Sequence, residues 1–453
     1  MSLTSLENTQ RELEAGLAEL PIIDIHTHLV GGRLAARGLH DILLYHMVIS
    51  DLYGAGCPSG SRLTEFPNWP DEAEAARRNE EALPYLPHVR NTSIWWVARA
   101  ILKDVYGWEA PLTAQNWRKL DGLIRERADD RAWAHALLDR ANIQRTGTEL
   151  ARRGLGEDDE RLQYALEWGF FTRTQWGEFD TALYELERCW GKLPSSPSPI
   201  GSGARPPTER TIRSLADVHT AVQHYVDNIP YGQVLSMATH LSTDIDYRPV
   251  SDVEMEAALA RRGQAGLAER SVYAAYVNEA FLTALEAHAD ELVFQFSLGA
   301  EPLPRETGAR LSQTTLAQLG DMMARHPRLR FQCLLASRHA NQTLCTFARE
   351  LPNFSLAGYW WHTFFPSAIS QLMDERLDML PANKQVAFFS DAYCVEWCFG
   401  KRKLVSKLLA GALAARVARG QYTFDEALSI ARSTLFESPQ SLLGLTPRRP
   451  ISD

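Results

Sequence analysis

The run Leu20-Pro21-Ile22-Ile23-Asp24-Ile25-His26-Thr27-His28-Leu29 constrains this chain more than any other segment. Its isoleucines favour a strand, and alternate residues of a strand share a face. Strict alternation puts Asp24, His26 and His28 on one face and Ile23, Ile25 and Thr27 on the other. Two imidazoles two residues apart can bind one metal ion through their ring nitrogens. Asp24, on the same face, is placed to hold a ring N–H from behind. Such a strand suits the start of a barrel whose chemistry gathers at its C-terminal mouth.

Short apolar runs predict further strands at 233–239, 292–298, 329–335, 354–360 and 385–390, with a weaker one at 142–148. An eighth is expected between 164 and 234, where periodicity does not place it. Segments of helical pattern, such as 271–288 and 314–326, separate most of them, and a short amphipathic helix is expected at 4–19. Strands alternating with helices imply a parallel sheet. The expected fold class is α/β: a (β/α)8 TIM barrel with a helical insertion after the first strand. A length of 453 residues accommodates one such barrel with insertions.

The chain divides into an N-terminal helix and first strand at 1–33, a mainly helical stretch at 34–140, and the remaining barrel at 141–453. The middle part holds Trp69, Trp95, Trp96, Trp108, Trp117 and Trp133, expected to pack the core of an insertion that caps the mouth. KLPSSPSPIGSGARPPTER, at 192–210, reads as an extended loop. There is no internal repeat. A net charge of −9 with no Lys/Arg tract argues against a nucleic-acid partner. Six scattered cysteines read as reduced thiols of a cytoplasmic protein, and Cys394 and Cys398 as buried thiols rather than a metal pair. The opening MSLTSLENTQRELEAGL lacks the pattern of a signal peptide, and no apolar run is long enough for a membrane span.

Val386-Ala387-Phe388-Phe389-Ser390-Asp391 is a buried-looking run that turns polar at its C-terminal end, where barrel enzymes keep reactive groups. The Asp391 carboxylate can bind a metal, move a proton or do both. Equally, it can cap a helix starting near Tyr393. His240 follows a strand and can face the same mouth, although a lone histidine is more often structural. His40, His46, His339 and His362 carry weaker signals.

IDIHTHL and FFSDAY resemble the first and last barrel strands of the amidohydrolase superfamily, and the chain as a whole resembles the uronate isomerases. NTSIWWVARAILKDVYGW, NIQRTGTEL, MATHLSTDIDYRPVSD, QFSLGAE and AGYWWHTF follow in that family's order. The resemblance implies one divalent metal ion, zinc being the expected one, held by His26, His28 and Asp391. It implies a small-molecule substrate, a hexuronate whose aldose and ketose forms interconvert through an enediol, with Asp391 as the base. Tyr45 falls near a family active-site tyrosine, and His240 falls on a family histidine. Trp360 and Trp361 match a Trp-Trp motif and, with Tyr393 and Arg338, are candidate substrate contacts. A homo-oligomer is also implied. Several positions depart from the family pattern: Tyr393 and Val48 stand where an arginine is usual, as does a position near Glu301, Ser297 replaces a histidine, and Thr239 replaces an aspartate. Arginine is the best holder of a carboxylate, so these departures fall on the substrate half of the site. They leave a hydrolase or lyase using metal-activated water as the alternative. A non-catalytic metal- or sugar-binding barrel is the third reading, opposed by the three retained ligands.

Overall fold

The computed structural model describes residues 3–58, 72–149, 159–168, 181–190, 208–241, 247–299 and 311–445. Eight strands form one parallel sheet in sequence order: β1 (Ile22–Asp24), β2 (Ile143–Glu149), β3 (Leu162–Glu167), β4 (Val234–His240), β5 (Val293–Leu298), β6 (Arg330–Leu335), β7 (Phe354–Ala357) and β8 (Gln385–Val386). The two outer strands meet beyond their ends. Asp391 N–H donates to the His26 carbonyl at 2.9 Å, and His28 N–H donates to the Ala392 carbonyl at 2.7 Å. The sheet therefore curls into a TIM-like α/β barrel, and its last turn of chain lies against its first. The expected strands all appear, and the eighth is Leu162–Glu167, which begins two residues before the interval expected for it and ends inside it.

Between β1 and β2 the described chain is helical, including Leu39–Leu43, His46–Gly54, Glu72–Ala82, Ser93–Tyr106, Trp117–Arg125 and Arg131–Arg140. Trp95 and Trp117 are buried there, as core packing requires, but Trp96 is 41% exposed. Trp69 and most of 192–210 lie outside the described residues. All six cysteines are free and buried, and burial pushes the Cys394 and Cys398 thiols upward. Among the described residues no helix is long and apolar enough to cross a membrane.

Strand alternation sorts two layers. Phe294, Phe296, Phe331, Cys333, Phe354 and Leu356 join the outer apolar layer under the helices. Val293, Leu334, Ala357 and Val386 form an inner cluster with Leu443 and Leu445. The inner layer also holds a buried relay across four strands. Ser236 Oγ donates to Gln295 Oε1, Gln295 Nε2 to Gln332 Oε1, both at 2.8 Å, and Gln332 Nε2 reaches Ser355 Oγ at 3.5 Å. A connected polar chain of this kind fixes strand register, because any slip orphans buried amides.

β1 turns the expected faces round. Ile23 and Ile25 belong to the inner cluster, while fully buried Asp24 accepts a hydrogen bond from Ser390 N–H at 2.9 Å. The strand is three residues long, its register shifts between Ile22 and Ile23, and the chain leaves strand geometry after Asp24. Period-two reasoning does not carry through to His28 across such a break.

Away from the mouth, His326 ties two helices together. It ends the helix Gln313–Arg325, 3% exposed, with Nδ1 2.8 Å from Glu286 Oε1 and Nε2 3.3 Å from Glu279 Oε1. Burial lowers its pKa, but the two carboxylates outweigh that and raise it above the usual 6.5. A raised histidine contributes stability that is full below its unfolded pKa and is lost as pH rises through its folded pKa. His326→Gln is expected to cost about 1–2 kcal/mol at pH 5.5 and clearly less at pH 9. Urea unfolding at the two pH values checks this; equal losses would show that the ring acts only by packing.

Candidate metal centre

The chain beyond the ends of β1 and β8 brings three candidate ligands together. His28 Nε2 lies 3.0 Å from Asp391 Oδ1, and His26 Nε2 lies 3.5 Å from the same oxygen. One ligand atom from each of His26, His28 and Asp391 falls within 4.8 Å of the others. Donors about 2.0–2.1 Å from a four-coordinate ion stand roughly 3.3 Å apart, so the observed spacings suit a first-row divalent cation. The donor set, two imidazoles and one carboxylate, suits zinc or a neighbouring transition metal.

Asp391 is held there against its backbone preference. Its φ is +54°, a left-handed conformation that costs a non-glycine residue about 1–2 kcal/mol. It does not cap a helix: the next helix starts at Val395 with Cys394 as its N-cap. Its N–H is bonded to His26, and its carbonyl accepts from Tyr45 Oη at 2.9 Å. Burial alone would raise its carboxyl, but the rings of His26, His28 and His46 reverse this and hold it well below the usual range. At neutral pH it is a carboxylate.

The partner behind His28 is Glu149, at the end of β2, whose Oε1 stands 3.3 Å from Nδ1. A carboxylate on Nδ1 favours the tautomer that leaves Nε2 free for an ion. Asp24, expected behind a ring N–H on its own strand face, is engaged with Ser390 instead, and burial lifts its carboxyl to about 7.

His46 is the residue that sequence reasoning ranked too low. Its Nε2 lies 3.1 Å from Asp391 Oδ2, on the opposite side of the carboxylate from His26 and His28. Its ring stacks on Trp361 at 4.8 Å and 8°. Burial pushes its pKa down to about 4, so it is neutral at pH 7 despite Asp391. The only cue in the sequence was a histidine following Tyr45 inside an apolar helical run.

The aromatic candidates fall into place unevenly. Tyr393, partly exposed, stacks on His28 at 4.6 Å and 14°. Trp361, also partly exposed and with φ +49°, covers His46. Trp360 packs against the inner cluster. Tyr45 is 3% exposed, and its hydroxyl accepts from Lys401 Nζ at 2.6 Å while donating to Asp391. Arg338 is exposed and lines a different cleft with His339, Gln342, Gln371 and Glu375. His240 ends β4 opposite Ser297, but its side chain lies outside the described residues. Sequence reasoning missed Glu149 and Lys401 altogether.

No family model matches the sequence, and no curated protein matches it. Solved structures do match. A glucuronate isomerase from Caulobacter crescentus superposes with TM-score 0.78 at 18% identity, over 99% of this chain and 96% of that one. A uronate isomerase from Thermotoga maritima gives 0.73 at 12% identity, over 96% and 97%. One from Bacillus halodurans gives 0.69 at 16% identity, over 98% of both chains. At such identities the likeness speaks for architecture, and along its whole length this chain has the fold of the solved uronate isomerases.

Proposed function

We propose that this chain is a metal-dependent isomerase that interconverts the aldose and ketose forms of a hexuronate. The observation that carries the reading is the convergence of His26, His28 and Asp391 at one end of a barrel that matches uronate isomerases from end to end. A divalent ion held by these three residues, zinc being the expected one, would supply polarisation of the sugar oxygens. Asp391 carries the proton from C2 to C1 while a second proton passes from O2 to O1, so the enediolate forms and collapses with no net change in protons. Neutral His46 flanks Oδ2 and orients the carboxylate for that exchange. Glu149 keeps the His28 ring turned. Trp361 and Tyr393 offer flat faces to the C–H side of a sugar, and Trp360 extends that wall. The stretch 34–140 acts as a cap that keeps bulk water from the enediol.

A second reading, hydrolase or lyase chemistry on another small molecule, draws on the neighbourhood of the three ligands. The described side chains against them are largely aromatic, namely Tyr393, Phe389 and, beside His46, Trp361. Arg338 lies in a different cleft.

A paired assay tests both. Metal-loaded protein is given D-glucuronate and D-galacturonate and followed for ketose formation, with a His26→Ala/His28→Ala double variant beside it. Turnover confined to the wild type is the expected result. No turnover from protein carrying one tightly bound metal per chain would overturn the isomerase and leave the second reading.

A further inference from the structure

Lys401 is a lysine in an unusual place. It sits in the helix Val395–Ala418, 1% exposed, with no carboxylate within ion-pair distance among the described residues. Its ammonium donates to Tyr45 Oη at 2.6 Å and lies over the rings of Tyr45 at 4.8 Å and Phe364 at 4.5 Å. Burial disfavours the ammonium, and only the fields of the Asp391 and Asp24 carboxylates, beyond contact distance, oppose that, so a plain packing role would be served better by methionine or leucine. Tyr45 in turn spends its proton on the backbone carbonyl of Asp391. The ammonium polarises the phenol and strengthens that bond, because hydrogen bonds to a charged partner are shorter and stronger and reinforce the next one in a chain.

The acceptor is the carbonyl of the one metal-ligand candidate whose backbone is left-handed. Asp391 is pinned on its N–H side by His26 and on its carbonyl side by Tyr45. Tyr45 is also the N-cap of the helix His46–Gly54, so the same anchor sets where His46 begins.

We infer that Lys401 and Tyr45 form a clamp that holds Asp391 in its ligating conformation. The pair are positioning residues, and Tyr45 is not a substrate contact: its hydroxyl is buried and both of its roles are taken. The inference rests on the metal-centre reading above and names what enforces it.

Metal affinity and fold stability separate this from a merely structural role. Zn²⁺ is titrated into apo wild type, Tyr45→Phe, Lys401→Met and His28→Ala against a chromophoric chelator, and the apo proteins are melted in parallel. Wild type is expected to bind one ion per chain and His28→Ala to lose it. Tyr45→Phe and Lys401→Met are expected to bind about 10–100-fold more weakly, the range for residues that orient ligands. The apo melting temperature of Lys401→Met is expected to change little, since the relief from burying an ammonium is offset by the loss of its attraction to the buried Asp391 and Asp24 carboxylates. The Co²⁺ forms of both variants should show altered visible spectra, reporting changed ligand geometry. Tyr45→Phe removes a single oxygen and keeps the test decisive if Lys401→Met fails to fold. Variants that bind Zn²⁺ as tightly as wild type would overturn the clamp alone. So would affinity in Lys401→Met that falls only in step with its melting temperature. Wild type that binds no ion would overturn the metal centre and the clamp together.

Discussion

Asp391→Asn is expected to lower turnover about a thousandfold and to strip the protein of metal on dialysis. Asparagine keeps the size of the side chain and tolerates the left-handed φ of +54° better than most residues, so the fold should survive the change. What goes is the charge. The oxygen 3.0 Å from His28 Nε2 and 3.5 Å from His26 Nε2 becomes a neutral amide atom or an N–H, a poor ligand in either orientation. His46 loses the carboxylate beside its Nε2. A general base is worth about 10²–10⁴ in rate, and the loss of a ligand adds to it, which sets the expected size. Metal analysis, kcat at saturating Zn²⁺ and thermal melting measure the three consequences. Saturating metal that restores more than a tenth of wild-type turnover would place the base elsewhere and leave Asp391 a ligand only.

Much of this centre was legible because barrels put their chemistry at strand ends. His26 and His28 close an apolar strand, and Asp391 follows another, so order and polarity alone marked them. The parallel sheet was legible from strands alternating with segments of helical pattern. The missed residues had no such cue. Lys401 sits in the stretch Gly400-Lys401-Arg402-Lys403, which reads as a solvated helix face, and only tertiary packing buries one lysine of it. Glu149 lies one residue past the weakest of the predicted strands, 142–148, and ends the observed β2. Asp24 is expected behind a histidine ring through an alternation that a three-residue strand with a register shift does not carry on to the histidines. His46 reaches Asp391 from a helix far away in sequence, and no local period encodes that contact.

The second large effect is expected at Gly147, which no motif singled out. It lies in β2, where the exit of β1 presses against it. A Cβ there would stand 2.3 Å from the Ile25 carbonyl oxygen and 2.8 Å from its carbon, both backbone atoms that no rotamer change can move. The Gly147 carbonyl also accepts from Thr27 N–H and Thr27 Oγ1, each at 2.6 Å. The residues on either side of Thr27 are the two candidate histidine ligands, and Glu149, two residues along β2, faces His28. Gly147→Ala must therefore push the Ile25–Thr27 backbone outward and shift His26 and His28 away from both Asp391 and Glu149. The expected loss is about 2–3 kcal/mol of stability from overpacking, with Zn²⁺ affinity down by more than the clamp variants lose. Gly122→Ala is the control: it lies in the helix Trp117–Arg125 with nothing within 4 Å of an added methyl, and should gain up to about 1 kcal/mol. Urea unfolding and metal titration of the two alanine variants measure the contrast. A Gly147→Ala protein that binds Zn²⁺ like wild type would mean that the β1 exit can slide on β2 without moving its ligands. Asp391 and its backbone bond to His26, rather than the packing of β1 on β2, would then set the geometry of the centre.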